Sequence, residues 1–131
     1  MKSVMVKLLS VSMFVCSSGV FAAEKVEPSA DKCKGKAVIE VVSFAVNAGV
    51  SEAQLIAAAN QINADLAKQA GFISRNLAYD KVGEWVDIIH WRNLASAESA
   101  AQHMMQNEKA GEFFALIDQN KMKMVHYCAV K

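Results

Sequence analysis

The sequence is poor in several features that define large classes of protein. It has one proline, three cysteines without a C-x-x-C pair, and no G-x-S-x-G, P-loop or dinucleotide-binding motif. These absences argue against hydrolase and nucleotide chemistry, a redox centre and a zinc site. No H-x-H or H-x-x-x-H spacing occurs, so no metal site is expected. The 14 basic and 13 acidic residues nearly balance, which gives no electrostatic signature for nucleic acid or an anionic membrane.

The N-terminal segment has the three-part layout of a secretory signal peptide. Lys2 and Lys7 precede the apolar run LLSVSMFV, and small residues in VFA stand before Ala23. The apolar run is much shorter than the roughly 20 residues that cross a bilayer. We therefore expect residues 1–22 to be removed on export, leaving a periplasmic or secreted protein without membrane association. The mature chain would keep 109 of the 131 residues, enough for one domain.

Residues 23–35 are polar and lack periodicity, which indicates a tether before a single domain over residues 36–131. In that domain AVIEVVSFAV, residues 37–46, predicts a largely buried strand, because β-branched and aromatic residues dominate it. A helix should follow. Ser51 and Gln54 form a capping-box signature, Gly71 is expected at C′, and an apolar stripe runs along Leu55, Ala58, Ile62 and Leu66.

The second half of the domain predicts a hairpin, a helical region and a last strand. FISRNLAY and EWVDIIHW flank the turn-forming DKVG. Asn93 is expected to cap a helix through LASAESAAQHMMQNE, with AGEFFALI continuing it after a break at Gly111, and KMKMVHYCAV should return as a strand. The resulting order, β-α-β-β-α-β, predicts an α+β ferredoxin-like fold with a four-stranded antiparallel sheet.

The cysteines fit this topology. After removal of Cys16 with the signal peptide, an even number remains in an exported chain, which favours a disulfide. In a ferredoxin-like sheet the last strand lies antiparallel beside the first. Cys33, before the first strand, should therefore meet Cys128, at the end of the last, and we predict that they are bonded.

The stretch VDIIHWRN places polar side chains in an apolar strand. Strand alternation should turn Asp87 and Trp91 towards the helices, and His90 and Arg92 towards the opposite face. With DKVG as the loop, hairpin pairing puts Phe72, Ser74, Asn76 and Ala78 on the face of Trp85, Asp87, Ile89 and Trp91, and it puts Arg75 on the face of His90. Their roles could also be structural, through internal hydrogen bonds or contacts with a partner.

Such a sheet has helices on one side only. A second copy related by two-fold symmetry is the simplest cover for the other side, so a homodimer is expected.

The segment GFISRNLAYDKVGEWVDIIHWRNLASAESA resembles the central part of antibiotic biosynthesis monooxygenase (ABM-like) proteins, and HMMQNEKAGEFFALID resembles their second helical region. The resemblance covers residues 37–130. It implies a homodimeric α/β barrel whose two sheets face each other, with a pocket in each subunit between sheet and helices. Because the family includes cofactor-free oxygenases of aromatic polyketides or quinols, it also implies oxidoreductase chemistry without a cofactor.

In the haem-degrading branch of that family, a Trp on the third strand acts with an Asn on the first strand and a helical His. Trp91 matches the Trp. The Asn position falls on Val42 or Ser43, and the His position falls within FFALI, which has no histidine. These two differences argue against haem degradation.

The expected function is therefore that of a monooxygenase acting on an aromatic or quinol-like molecule. Trp91 and Trp85 would stack on it, Asn76 and Asp87 would orient its hydroxyl, and His90 is the candidate base. The alternative is a non-enzymatic small-molecule-binding or stress-associated dimer of the same fold.

Overall fold

Four antiparallel strands form one sheet in the computed structural model, which describes residues 31–130. The strands are β1 (Val38–Phe44), β2 (Phe72–Tyr79), β3 (Trp85–Trp91) and β4 (Lys123–Cys128), and their order is β2-β3-β1-β4. β1 pairs with both β3 and β4. The predicted ferredoxin-like α+β fold is thereby confirmed, whereas the predicted signal peptide and most of the predicted tether lie outside the described residues.

Two helical regions connect the strands, and each is divided. α1 (Glu52–Gln61) and α2 (Asn63–Ala67) follow β1, while α3 (Leu94–Met104), α4 (Glu108–Ala115) and a 3₁₀ turn (Gln119–Lys121) precede β4. None of the helices within residues 31–130 is both long and apolar enough to cross a membrane.

Side-chain caps fix where the helices begin. The predicted capping box is present, because Ser51 Oγ accepts from the backbone N–H of Gln54 and the Gln54 side chain accepts in return from Ser51 N–H. Asn93 caps α3 by accepting from the backbone N–H of Ser96 at 2.8 Å. Both caps were predicted from the sequence.

Two predicted helix boundaries were wrong. The second helical region breaks before Asn107, which caps α4 by accepting from Ala110 N–H, so Gly111 lies inside that helix. The first region ends with Ala67, so Gly71 is not its C′ residue. Gly71 instead turns the chain into β2 with a φ of 80°, in a place where a Cβ would collide with the Ser96 side chain.

The predicted disulfide is confirmed. Cys33 and Cys128 are bonded, with their Cα atoms 4.9 Å apart. Cys128 pairs with Val38 across β1 and β4, so the bond joins the segment before the first strand to the end of the last strand.

The predicted pairing of the hairpin was wrong by one residue. Tyr79 pairs with Trp85, so the loop has five residues, from Asp80 to Glu84, rather than the four of DKVG. The Asp80 carboxylate accepts from the backbone N–H groups of Val82 and Glu84, which holds this longer loop. Arg75, Leu77 and Tyr79 therefore face the helices with Asp87.

The two faces of the sheet differ in burial. Alternate residues of β1 and β3 are buried against the helices, among them Asp87, Ile89 and Trp91, as the alternation of VDIIHWRN predicted. We call the other side the outer face. It carries half-buried and exposed side chains, largely apolar: Ile39, Val41, Val86, Ile88, His90, Val125 and Tyr127.

Candidate functional site

A cavity of about 650 Å³ lies between the helix-facing side of the sheet and the helices. Its sheet wall includes Glu40 and Val42 of β1 with Asp87 and Trp91 of β3, and its helical wall comes mainly from α3 and α4. This volume falls within the range of small-molecule sites, which are mostly apolar with a few placed polar groups. The position is the one that the ABM-like resemblance implied.

Small residues on the helices leave this space open. Ala100, Ala101, Ala110 and Gly111 line the cavity where longer side chains would fill it. All four methionines within residues 31–130 also line it: Met104, Met105, Met122 and Met124. Unbranched, polarisable methionine side chains can adapt to the shape of a flat apolar ligand.

Asp87 is held in a buried ion pair at one side of the cavity. Arg75 Nη2 lies 2.6 Å from Asp87 Oδ2, and Arg75 Nε donates to the same carboxylate at 2.9 and 3.1 Å. Arg75 Nη1 also donates to the carbonyl of Ala59 and to Oδ1 of Asn63, both at 2.8 Å. The guanidinium lies 5.6 Å from the centre of the Phe113 ring. This arrangement joins β2 and β3 to both helical regions.

Glu40 is the second buried carboxylate of the cavity, and a titratable partner holds it. His126 Nε2 lies 2.7 Å from Glu40 Oε2, with the Glu40 side chain 6% and the imidazole 25% exposed. The two residues face each other because they pair across β1 and β4. Burial raises the pKa of Glu40 above its ordinary value, and the charge of Asp87 adds to this, while His126 opposes it.

The Trp91 indole carries the one buried side-chain donor or acceptor without a hydrogen-bond partner in the described part of the chain, its Nε1–H group. Trp91 is 1% exposed and lines the cavity. Its N–H lies near enough to Glu40 to lower the pKa of that carboxyl, yet it does not reach hydrogen-bond geometry. Buried donors are normally satisfied, so an unpartnered N–H in the cavity wall is an unusual feature that a function would explain.

The sequence-predicted site residues separate into three places. Trp91 and Asp87 line the 650 Å³ cavity. Asn76 and Trp85 line a second cavity of about 550 Å³ beside β2 and α1. His90 lies on the outer face, where its imidazole is separated from both carboxylates by the sheet.

Three residues of the site were not among those predicted. Arg75 was assigned to the other face through the wrong hairpin register, and Glu40 and His126 were not selected at all. Glu40 did carry a signal, since it is the acidic member of the alternating set Val38, Glu40, Val42 and Phe44 in an otherwise apolar strand. Within residues 31–130, no group of three or more His, Cys, Asp or Glu side chains is arranged to hold a metal ion.

Comparison with solved structures confirms the ABM-like fold. SnoaB, a cofactor-independent oxygenase from Streptomyces nogalater, aligns with a TM-score of 0.62 and 19% identity over 73% of this chain and 95% of its own. A candidate antibiotic biosynthesis monooxygenase from Bordetella bronchiseptica aligns with a TM-score of 0.56 and 16% identity over 73% of this chain and 99% of its own. PA3566 from Pseudomonas aeruginosa aligns with a TM-score of 0.56 and 19% identity over 73% of this chain and 96% of its own. No family model and no curated protein matches the chain.

Proposed function

We propose that the protein is an exported, cofactor-independent monooxygenase that oxidises an aromatic or quinol-like molecule in the 650 Å³ cavity. The observation that carries this proposal is the cavity itself, which combines apolar walls, one free indole N–H and two buried carboxylates. A fold shared with a cofactor-independent oxygenase supports it as an analogy. The disulfide supports export, because such bonds persist mainly in oxidising compartments.

In this proposal Trp91 positions the substrate. Its ring forms part of the sheet wall, and its Nε1–H donates a hydrogen bond to a substrate oxygen. Asp87 belongs to the same wall, but Arg75 already occupies both of its oxygens. Its role is therefore to place a fixed ion pair beside the site.

The reaction needs no added reductant. A hydroquinone that takes one oxygen atom from O₂ onto a ring carbon, and gives four electrons to O₂, yields a hydroxylated quinone and water. The chain then has to hold the ring, exclude bulk water and remove hydroxyl protons. Oxygen consumption measured over a panel of hydroquinones, with labelled O₂ traced into the product by mass spectrometry, tests this proposal. Binding without oxygen consumption would favour the alternative, a non-enzymatic small-molecule-binding protein.

The two tryptophans allow a matched test of which cavity is the site. Trp91→Phe keeps a ring but removes the N–H, and we expect kcat/KM to fall about tenfold or more, since one hydrogen bond of about 1.5 kcal/mol corresponds to that factor. Trp85→Phe makes the same change in the other cavity and should alter kcat/KM less than about twofold. Steady-state oxygen consumption measures both. A larger loss in Trp85→Phe would move the site to the second cavity.

We also propose that the protein is a homodimer joined through the outer face. That face places apolar side chains of three strands next to one another, and Val41 lies at its middle, paired with Ile88 and Val125. A contiguous apolar patch of this kind is unusual on a monomer. A second copy offers a matching surface by two-fold symmetry.

A charge at the centre of the outer face should prevent dimerisation. We expect the wild-type protein to give twice the monomer mass in light scattering at micromolar concentration, and Val41→Asp to give the monomer mass, because an unpaired carboxylate would be buried at the interface. Val82→Asp makes the same change in the exposed hairpin loop and should remain dimeric. A monomeric wild-type protein would refute the proposal.

A further inference from the structure

The two carboxylates of the cavity, Asp87 and Glu40, differ in their hydrogen-bond partners. Asp87 bonds to a guanidinium, which keeps its charge at every pH that proteins tolerate, and the contact is bidentate and buried. Glu40 bonds to an imidazole, whose ring nitrogens can donate or accept a hydrogen bond. When neighbouring titratable groups lie in such different environments, their acid and base roles can be told apart. Arg75 occupies both oxygens of Asp87, whereas Glu40 keeps one oxygen, Oε1, without a hydrogen-bond partner in the described part of the chain.

The hydrogen-bonding groups around Glu40 that lack a partner fit a ligand hydroxyl. Within the described residues His126 bonds to Oε2 of Glu40, and no hydrogen bond reaches Oε1. The unpartnered indole N–H of Trp91 lies close to the same carboxyl group. An acceptor and a donor without hydrogen-bond partners among these residues thus lie beside each other in the cavity wall. A hydroxyl group is both donor and acceptor, so it can satisfy the two together.

Within residues 31–130, no further titratable group faces Glu40 beyond those that act on its pKa. The groups that face Glu40 are His126 on β4 and Asp87 on β3, the latter with its partner Arg75 on β2. The residues through which α3 and α4 line the cavity are alanine, glycine, methionine and phenylalanine. The helical wall therefore brings neither a charge nor a second base to the ligand.

We propose that Glu40 and His126 together act as the base of this cavity. Oε1 of Glu40 takes the proton from a hydroxyl of a bound aromatic ligand: the ligand O–H bond breaks, a new O–H bond forms on Glu40, and the electron pair stays on the ligand oxygen. That oxygen then accepts from Trp91 Nε1–H. His126 Nε2–H donates to Oε2 and so stabilises the ionised form of Glu40 that takes the proton. This deepens the proposed function, on whose cavity it rests, and the proton transfer needs no oxidant.

The test uses 2-naphthol and its methyl ether, 2-methoxynaphthalene, as planar fluorescent probes. A hydrogen bond from a neutral hydroxyl to a carboxylate contributes about 1.5–3 kcal/mol, which corresponds to about tenfold or more in affinity. We therefore expect the wild-type protein to bind 2-naphthol at least about tenfold more tightly than the ether. Excited 2-naphthol is also a strong acid, so naphtholate emission from the bound probe should report a proton acceptor in contact with its hydroxyl.

Glu40→Gln removes the base while keeping the side-chain shape and an oxygen that accepts from His126. We expect the hydroxyl preference and the bound naphtholate emission both to be lost. The variant should fold, because the raised pKa of Glu40 means that its ionised form costs stability at pH values above that pKa, and the amide has no such cost. Glu84→Gln removes an exposed carboxylate outside the cavity and should behave as wild type.

His126 variants test the second half of the pair. Affinity for 2-naphthol should fall as the pH drops through the raised pKa of Glu40, because the protonated carboxyl no longer accepts. His126 lowers that pKa, so His126→Ala should move this loss of affinity to higher pH, and His126→Gln, which keeps an N–H donor, should move it less. An unchanged pH profile in both His126 variants would overturn the part assigned to His126.

The outcomes separate this inference from the proposed function. Hydroxyl preference that survives in Glu40→Gln, or that is absent from the wild type, overturns the inference. Preference that depends on Glu40 without oxygen consumption on any hydroquinone supports the inference and counts against the oxygenase. If neither probe binds the wild type, the cavity does not accept a planar aromatic ligand, and both fail.

Discussion

Replacing Arg75 with methionine is expected to lower the free energy of unfolding by about 3–5 kcal/mol, among the largest effects of any single substitution in this chain. The guanidinium and the Asp87 carboxylate are 6% and 7% exposed, so Arg75→Met leaves a carboxylate buried without a partner. It also removes the bonds to Ala59 and Asn63 that join β2 to the first helical region. Urea unfolding followed by circular dichroism measures the loss.

The double variant Arg75→Met with Asp87→Leu shows whether the loss comes from the unpaired charge. Removing both partners leaves no buried ion, so the double variant should be more stable than Arg75→Met alone, with a coupling energy well above the experimental error. Arg92→Met serves as a control, because Arg92 is exposed and makes no ion pair in the described structure. An Arg75→Met protein as stable as Arg92→Met would mean that the buried pair contributes little.

The fold could be predicted from the sequence because its signals are local and agree with one another. Caps at Ser51 and Asn93, alternation in VDIIHWRN and the hairpin residues each specify an element without reference to the rest of the chain. The pairing of Cys33 with Cys128 followed once the strand order was assumed. Agreement among independent local signals is what a foldable sequence requires.

The hairpin register could not be predicted in the same way, because a single side chain decides it. Asp80 accepts two backbone N–H groups and lengthens the loop by one residue, and side chains on a strand alternate with a period of two. One extra loop residue therefore exchanges Asn76 for Arg75 on the helix-facing side. Asp87 therefore bonds to the guanidinium of Arg75, where the predicted register had placed the amide of Asn76 on its face.

The contact between Glu40 and His126 could have been predicted from the sequence. Once Cys128 is placed beside the start of β1, counting two residues inwards along both strands brings His126 opposite Glu40. The step was missed because the two residues are 86 positions apart and neither belongs to a spaced motif. The cavity is a different case, since its volume depends on where small residues of α3 and α4 meet the sheet, and this is set by tertiary packing.

The geometry also explains why burial of two carboxylates is tolerated in one small domain. Every side-chain nitrogen of Arg75 and both oxygens of Asp87 have a hydrogen-bond partner, which offsets the cost of burying both ions. Among the described residues, Glu40 has a hydrogen bond to only one of its oxygens, and its raised pKa shows that burying its ionised form costs free energy. Packing alone does not require a carboxylate at this position. Groups that are buried at such a cost tend to lie at functional sites, and Glu40 lies in the wall of the cavity.

Loss of the disulfide is expected to have the second large effect on stability. Cys33 and Cys128 are 95 residues apart, and in the chain-entropy model a closed loop of that length contributes about 4.7 kcal/mol by restricting the unfolded chain. The double variant Cys33→Ala with Cys128→Ala should therefore unfold at lower urea concentration than the oxidised wild type. Its free energy of unfolding should be lower by about 2–5 kcal/mol.

The effect should reach the cavity, because β4 is an edge strand whose end the disulfide holds. His126 lies two residues before Cys128, and β4 pairs with β1 alone. Fraying of this end would separate His126 from Glu40, so the double variant should also lose affinity for 2-naphthol relative to its methyl ether. Wild-type protein with a reductant should match the double variant in both measurements, and the double variant itself should not respond to the reductant. Equal stability of oxidised and reduced wild-type protein would mean that β4 is held by its pairing with β1, independently of the bond.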